Sequence, residues 1–142
     1  GNAISNSSVI VRKKILIKVG LINESKELVA AEDYNTWLKI ADLTNQFLYL
    51  PEILGYYFMH GQSISKKDMA PSIKYAIKNF LPKLNNKQKI KIESNIKYLS
   101  GRFYYLNYEY VKSRNNLLFT LRNGSFSLRF KSLFMIIMLI FK

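Results

Sequence analysis

Two adjacent carboxylates, Glu32 and Asp33, stand in the stretch LVAAEDYNTWLKIA, residues 28–41, at the mouth of an amphipathic helix. A carboxylate held at hydrogen-bond distance from a hydroxyl can take its proton while the oxygen attacks, which is general-base chemistry. Acids in a first helical turn also complement the helix dipole, by about 0.3–1 kcal/mol each, and need no reaction to explain them. Spacing alone leaves both readings open. His60 is the chain's one histidine, and in isolation it reads as a structural or surface residue after an apolar run. Trp37 reads first as core and second as a platform for a bound acceptor. There are no cysteines, so disulfides, thiolate metal sites and cysteine nucleophiles are excluded.

Several elements must position these residues. SSVIVRKKILIKVGL predicts a short β-branched strand near Ser7–Val11, then a short helix closed by Gly20 as a left-handed cap. A loop over 21–30 leads to a helix from near Ala31, on which Tyr34, Trp37, Leu38 and Ala41 share one face and are expected to be buried. FLYLPEILGYYFMH, broken by Pro51 and Gly55, predicts strands at the edge of a sheet. Beyond GQSIS the pattern turns helical. Pro71 suits the first turn of a helix to about Leu81, and residues 87–123 predict an antiparallel hairpin stopped by Gly124. Its expected seam is Ile92, Ile96, Leu99, Phe103, Leu106 and Tyr110. The expected class is therefore α+β: a few short strands plus helices over 1–65, followed over 66–142 by a basic all-helical hairpin and an amphipathic tail helix.

The tail SFSLRFKSLFMIIMLIFK carries an unbroken apolar run, Leu133–Phe141. A helix from Leu128 would be roughly 21 Å long, too short for a hydrocarbon core of roughly 30 Å. Arg129, Lys131 and Lys142 flank it as on a helix lying among anionic headgroups. Docking on the hairpin, or a cut spanning helix, are the alternatives. Charge is uneven: residues 1–69 hold eight Lys and Arg against seven acids, a balance of +1, whereas residues 70–142 hold fourteen against two, a balance of +12. Such asymmetry favours an anionic partner, either a membrane surface or a nucleic acid. The chain opens at Gly1 without methionine, and its first residues lack the apolar core of a signal peptide, so an excised piece of a longer protein is expected.

Taken together, residues 2–65 resemble the second half of the catalytic domain of a family 2 glycosyltransferase with the GT-A fold. The resemblance is carried in order by Ser7, Ser8, Arg12, Gly20, Glu32, Asp33, Tyr34, Trp37, Leu38, Lys39, Tyr57, His60 and Ser65. It implies an inverting enzyme in which Asp33 is the base and Glu32 orients the acceptor or its loop. Tyr34, Trp37 and Lys39 would be acceptor contacts or structural support. It also implies a divalent metal, manganese or magnesium, on the donor diphosphate, held by His60 and an Asp-x-Asp motif that this chain lacks. Two positions depart from the family: Phe58 stands where an arginine is common, and Lys39 keeps a charge but loses the bidentate fork.

The implied partners are a nucleotide-sugar donor and a cell-surface glycan or lipid-linked acceptor, in a bacterial pathway of surface polysaccharide synthesis. The implied location is cytoplasmic, on the inner face of the plasma membrane. No nucleotide-binding βαβ unit is visible, so the isolated chain is expected to be inactive. A nucleic-acid-binding helical module is the second reading, on charge and on Tyr98, Tyr104, Tyr105, Tyr108 and Tyr110. The tyrosines interleave with the apolar seam and no nucleic-acid motif is present, which weighs against it. A protein-interaction module is the third.

Overall fold

The computed structural model describes residues 2, 4–53, 55, 56, 58 and 67–141. Among them every regular element is helical: α1 Lys13–Lys18, α2 Glu32–Leu43, α3 Ala70–Ile77, α4 Asn86–Leu106, α5 Tyr110–Asn123 and α6 Phe126–Ile140, with 3-10 turns at Asn6–Ser8, Lys26–Leu28 and Leu81–Lys83. The α+β expectation is overturned, because no strand is present among the described residues. Asn6–Ser8 is a 3-10 turn, and although Val9 and Arg12 have extended backbones, no second strand pairs with them among the described residues. Ile10 is wholly exposed. Extended backbone becomes a strand only when a second strand takes its N–H and C=O groups, and β-branched composition cannot supply that second strand. The same holds for Phe47–Ile53, where Leu48, Tyr49 and Ile53 stand in solvent. Tyr57, His60 and Ser65 lie outside the described residues.

The helical expectations fare better. α1 ends as the glycine requires: Gly20 has φ +84°, and the Leu21 N–H reaches back to the Leu16 carbonyl at 2.9 Å, satisfying a terminal acceptor. α2 begins at Glu32 as expected, but its buried side is rotated. Asn35, Thr36, Trp37 and Ile40 are buried, Tyr34 and Leu38 half-buried, and Ala41 exposed. Pro71 lies in the first turn of α3, which stops at Ile77 rather than Leu81 because the chain tightens into the 3-10 turn at Leu81–Lys83.

α3 joins the two halves of the chain. On one side Ala76 packs with Leu28 and Ala31, covered by Tyr34 and Tyr75, while the Asn35 side-chain amide donates to the Ala76 carbonyl at 2.8 Å. On the other side Ala70 and Ile77 pack with Ile96 of α4, among Leu38, Ile73, Leu81 and Ile92. The boundary expected at 65–66 thus falls outside the described residues, and packing crosses it.

α4 starts with a reciprocal cap. Asn85 accepts from the Gln88 N–H and Gln88 accepts from the Asn85 N–H, both at 2.9 Å. α4 and α5 form the expected antiparallel hairpin, but the expected seam is displaced. Leu106 is exposed and Leu99 and Phe103 only half-buried, whereas Ser94, Ser100, Gly101, Ser113, Leu117 and Thr120 are buried. Ser113 Oγ donates to the Gly101 carbonyl at 2.9 Å and Thr120 Oγ1 to the Ser94 carbonyl at 3.2 Å, fixing the register. Small side chains let the backbones approach, and Leu117 fills the space that Gly101 leaves.

α6 folds back onto α5 and touches α4. It starts two residues before Leu128, buries Ser132, and at 15 residues is about 22 Å long. No helix among the described residues is long and apolar enough to cross a membrane.

Leu117→Ala is expected to lower unfolding stability by about 2–5 kcal/mol, through the cavity it opens. Gly124→Ala, whose new Cβ would stand 2.6 Å from the Thr120 carbonyl oxygen, is expected to lower it by about 1–3 kcal/mol. Urea unfolding midpoints of both variants against the parent measure this, and an unchanged midpoint for Leu117→Ala would contradict the packing described.

Candidate functional site

The N-terminus of α2 opens on a concavity of about 550 Å³ lined by Asn6, Ile22, Glu24, Ala30, Glu32 and Asp33. The fold makes it from loop rather than from strand ends, which corrects the expected setting. Ala30 takes a left-handed conformation, φ +63°, and this turns the chain from the Lys26–Leu28 turn into α2. Ala31 precedes the helix with no capping side chain, so the first-turn acids carry that work. Asp33 Oδ1 accepts from the Tyr34 N–H at 2.6 Å and Oδ2 accepts from the Asn2 side-chain amide at 2.9 Å. Each oxygen keeps a second lone pair. The carboxylate is therefore aimed by two donors and still able to accept a proton from a group entering the opening. Glu24 and Glu32 line the same opening at other points.

The remaining sequence-predicted residues are distributed around this helix. Trp37 is a core residue with its Nε1–H unpartnered among the described residues, so it is no exposed platform. Lys39 lines a second open concavity of about 450 Å³ with Lys18, Asn35, Asp42, Asn79 and Lys83. There Lys83 Nζ lies 2.6 Å from both Asp42 carboxylate oxygens, an exposed pair of the kind that contributes about 0–1 kcal/mol. Tyr34 bridges the two core clusters, and burial pushes its phenol above the ordinary value. Among the described residues no group of three or more His, Cys, Asp and Glu side chains is placed to hold a metal ion. His60, on which the metal expectation rests, lies outside them.

Asn2, Asn6 and Glu24 were not singled out by sequence reasoning. Their signal is tertiary: three polar residues outside the α-helices carry no period, and the fold brings them beside α2. Three tyrosines of the helical half lie against one another, with the Tyr108 and Tyr110 ring centres 6.2 Å apart and Tyr105 and Tyr110 6.4 Å apart. Lys112 lies over Tyr104, 5.3 Å from the ring centre.

No family model matches the chain, and neither a curated protein nor a solved structure matches it.

Tyr34 gives a pH signature. Its folded-state pKa is raised, so the unfolded chain ionises first, and the stability it contributes is present below about pH 10 and lost as pH rises through the folded value. Tyr34→Phe is expected to flatten the decline of the urea midpoint above about pH 10. Parallel alkaline declines in the two proteins would contradict this assignment.

Proposed function

We propose that this chain is the acceptor-side portion of an inverting sugar transferase, with Asp33 as its general base. The observation that carries the reading is the aim of Asp33, whose two oxygens are each held by an N–H donor at the lip of an open concavity. The resemblance of residues 2–65 to family 2 glycosyltransferases supports it, as does the grouping of Glu24, Glu32 and Asp33 in a chain of net charge +13.

In this reaction an acceptor hydroxyl oxygen attacks the anomeric carbon from the face opposite the nucleotide. The new carbon–oxygen bond forms as the bond to the diphosphate breaks, so the anomeric configuration inverts. The acceptor proton passes to Asp33, within ordinary hydrogen-bond reach. Glu32 holds the acceptor or its loop beside it. The nucleoside diphosphate leaves with the bonding pair, and its binding belongs to a donor half outside this chain. A divalent metal would supply charge neutralisation to that leaving group. The acceptor is a hydroxyl of a surface glycan or of a lipid-linked oligosaccharide at the inner face of the plasma membrane.

The test is Asp33→Asn in the polypeptide that joins this chain to its donor half, supplied with UDP- and GDP-linked sugars and lipid-linked oligosaccharide, and read as nucleoside diphosphate released. Turnover is expected to fall by about 10²–10⁴-fold with little change in acceptor KM. Glu32→Gln is expected to lose less and to raise KM. Undiminished turnover in Asp33→Asn would remove the proposal.

A further inference from the structure

α6 is apolar on two opposite sides, and only one of them is used. At 100° per residue, Leu128, Ser132, Met135 and Leu139 fall on the side that carries the buried Ser132. The opposite side carries Phe126, Phe130, Leu133, Phe134, Ile137 and Ile140, all exposed, with Phe126 at 88% and Phe130 at 68%. This face runs the length of the helix without a polar residue. Arg129 and Lys131, both exposed, fall at its two borders.

We infer that α6 is an interfacial helix that lays this face into an anionic lipid surface. Charge selects the occupant. Residues 70–142 carry fourteen basic residues and only Glu93 and Glu109 as acids, and Glu109 is already paired with Lys112. A second copy would bring two such surfaces together and be repelled. A protein partner calls for a polar rim able to pair in both senses, whereas this rim is cationic. An anionic leaflet satisfies both halves of the surface, because its headgroups meet the Lys and Arg side chains while its acyl boundary takes the aromatic face to a depth of about 5–10 Å. The helix is about 22 Å long, so it lies along the interface rather than through it.

The inference stands on the helix and its charge and needs neither donor nor acceptor. Its failure would leave the assignment of Asp33 intact, and the reverse is equally true. The experiment is sedimentation of the chain with vesicles of phosphatidylcholine and phosphatidylglycerol in equal parts, beside vesicles of phosphatidylcholine alone, with sizing of the free chain in solution. Expected are pelleting with the mixed vesicles, weakened by added salt, and little with the neutral ones. Phe130→Glu with Phe134→Glu is expected to weaken the partition on the order of a hundredfold. Phe126→Glu, at the exposed first residue of the helix and harmless to its packing, is expected to weaken it in the same direction, with an unchanged circular dichroism spectrum. Equal pelleting with both vesicle types, undiminished pelleting of the glutamate variants, or a stable dimer that ignores vesicles would each overturn the inference.

Discussion

The hydrogen bond from the Asn35 amide to the Ala76 carbonyl is the constraint on which the rest of the arrangement depends. α3 has eight residues, too few to persist as an isolated helix in water, so it exists because both of its sides are occupied. One side takes α2 through Asn35 and the segment just before α2 through the contact of Leu28 and Ala31 with Ala76. The other takes α4 through Ile96. A buried donor left without its carbonyl costs about 1–3 kcal/mol, more than a single surface contact of α2 can offset. The direction of α2, and with it the aim of Asp33, is therefore set by packing on α3 in the middle of the chain, together with the loop residues Leu28 and Ala31 that share that packing.

How much of this is legible in the sequence divides along the range of the interactions involved. The Gly20 cap, the acid-led start of α2, Pro71 in the first turn of α3 and the hairpin ending at Gly124 are local, each encoded within a turn of chain: by the backbone freedom of Gly20, the charge of Glu32 and Asp33, the missing N–H of Pro71 and the missing Cβ of Gly124. The strands were not legible as absent. Val9–Val11 and Phe47–Leu50 have the composition of strands, and composition states only what a segment would do beside a neighbour. The candidate site shows the same limit. Glu32 and Asp33 announce themselves by adjacency, whereas Asn2 meets Asp33 and Glu24 lines the opening through tertiary folding, beside a left-handed alanine that no residue-type rule marks.

The displaced seam of the hairpin has a physical cause with consequences at the surface. Apolar spacing of 4 and 3 predicts that Leu99, Phe103 and Leu106 face α5. Close approach is achieved instead by Gly101, Ser94, Ser113 and Thr120, because carbonyls at Gly101 and Ser94 accept hydroxyl hydrogen bonds that only short side chains can deliver. Once backbones are this near, large side chains cannot fit between them and are pushed to the flanks. Ser132 extends the same close packing to α6, which leaves the long apolar residues of its opposite side facing outward. The exposed aromatic face is thus a product of the small-residue core.

Charge adds a direction to this arrangement. The half that carries Asp33 is nearly neutral, and the half that carries α6 has a balance of +12, so the chain has a strong electrical asymmetry along its packing order from α2 through α3 and α4 to α6. Near an anionic surface such an asymmetry exerts a torque that turns the basic helices inward, and within a Debye length of about 8 Å it outweighs the weak pull on the neutral half. The acid-lined concavity, negative like such headgroups, would not be drawn to them. Were Asp33 the proposed base and α6 seated in such a surface, an acceptor would have to bring its hydroxyl out past the headgroup layer, which would suit a sugar chain extended from a lipid better than the lipid headgroup itself.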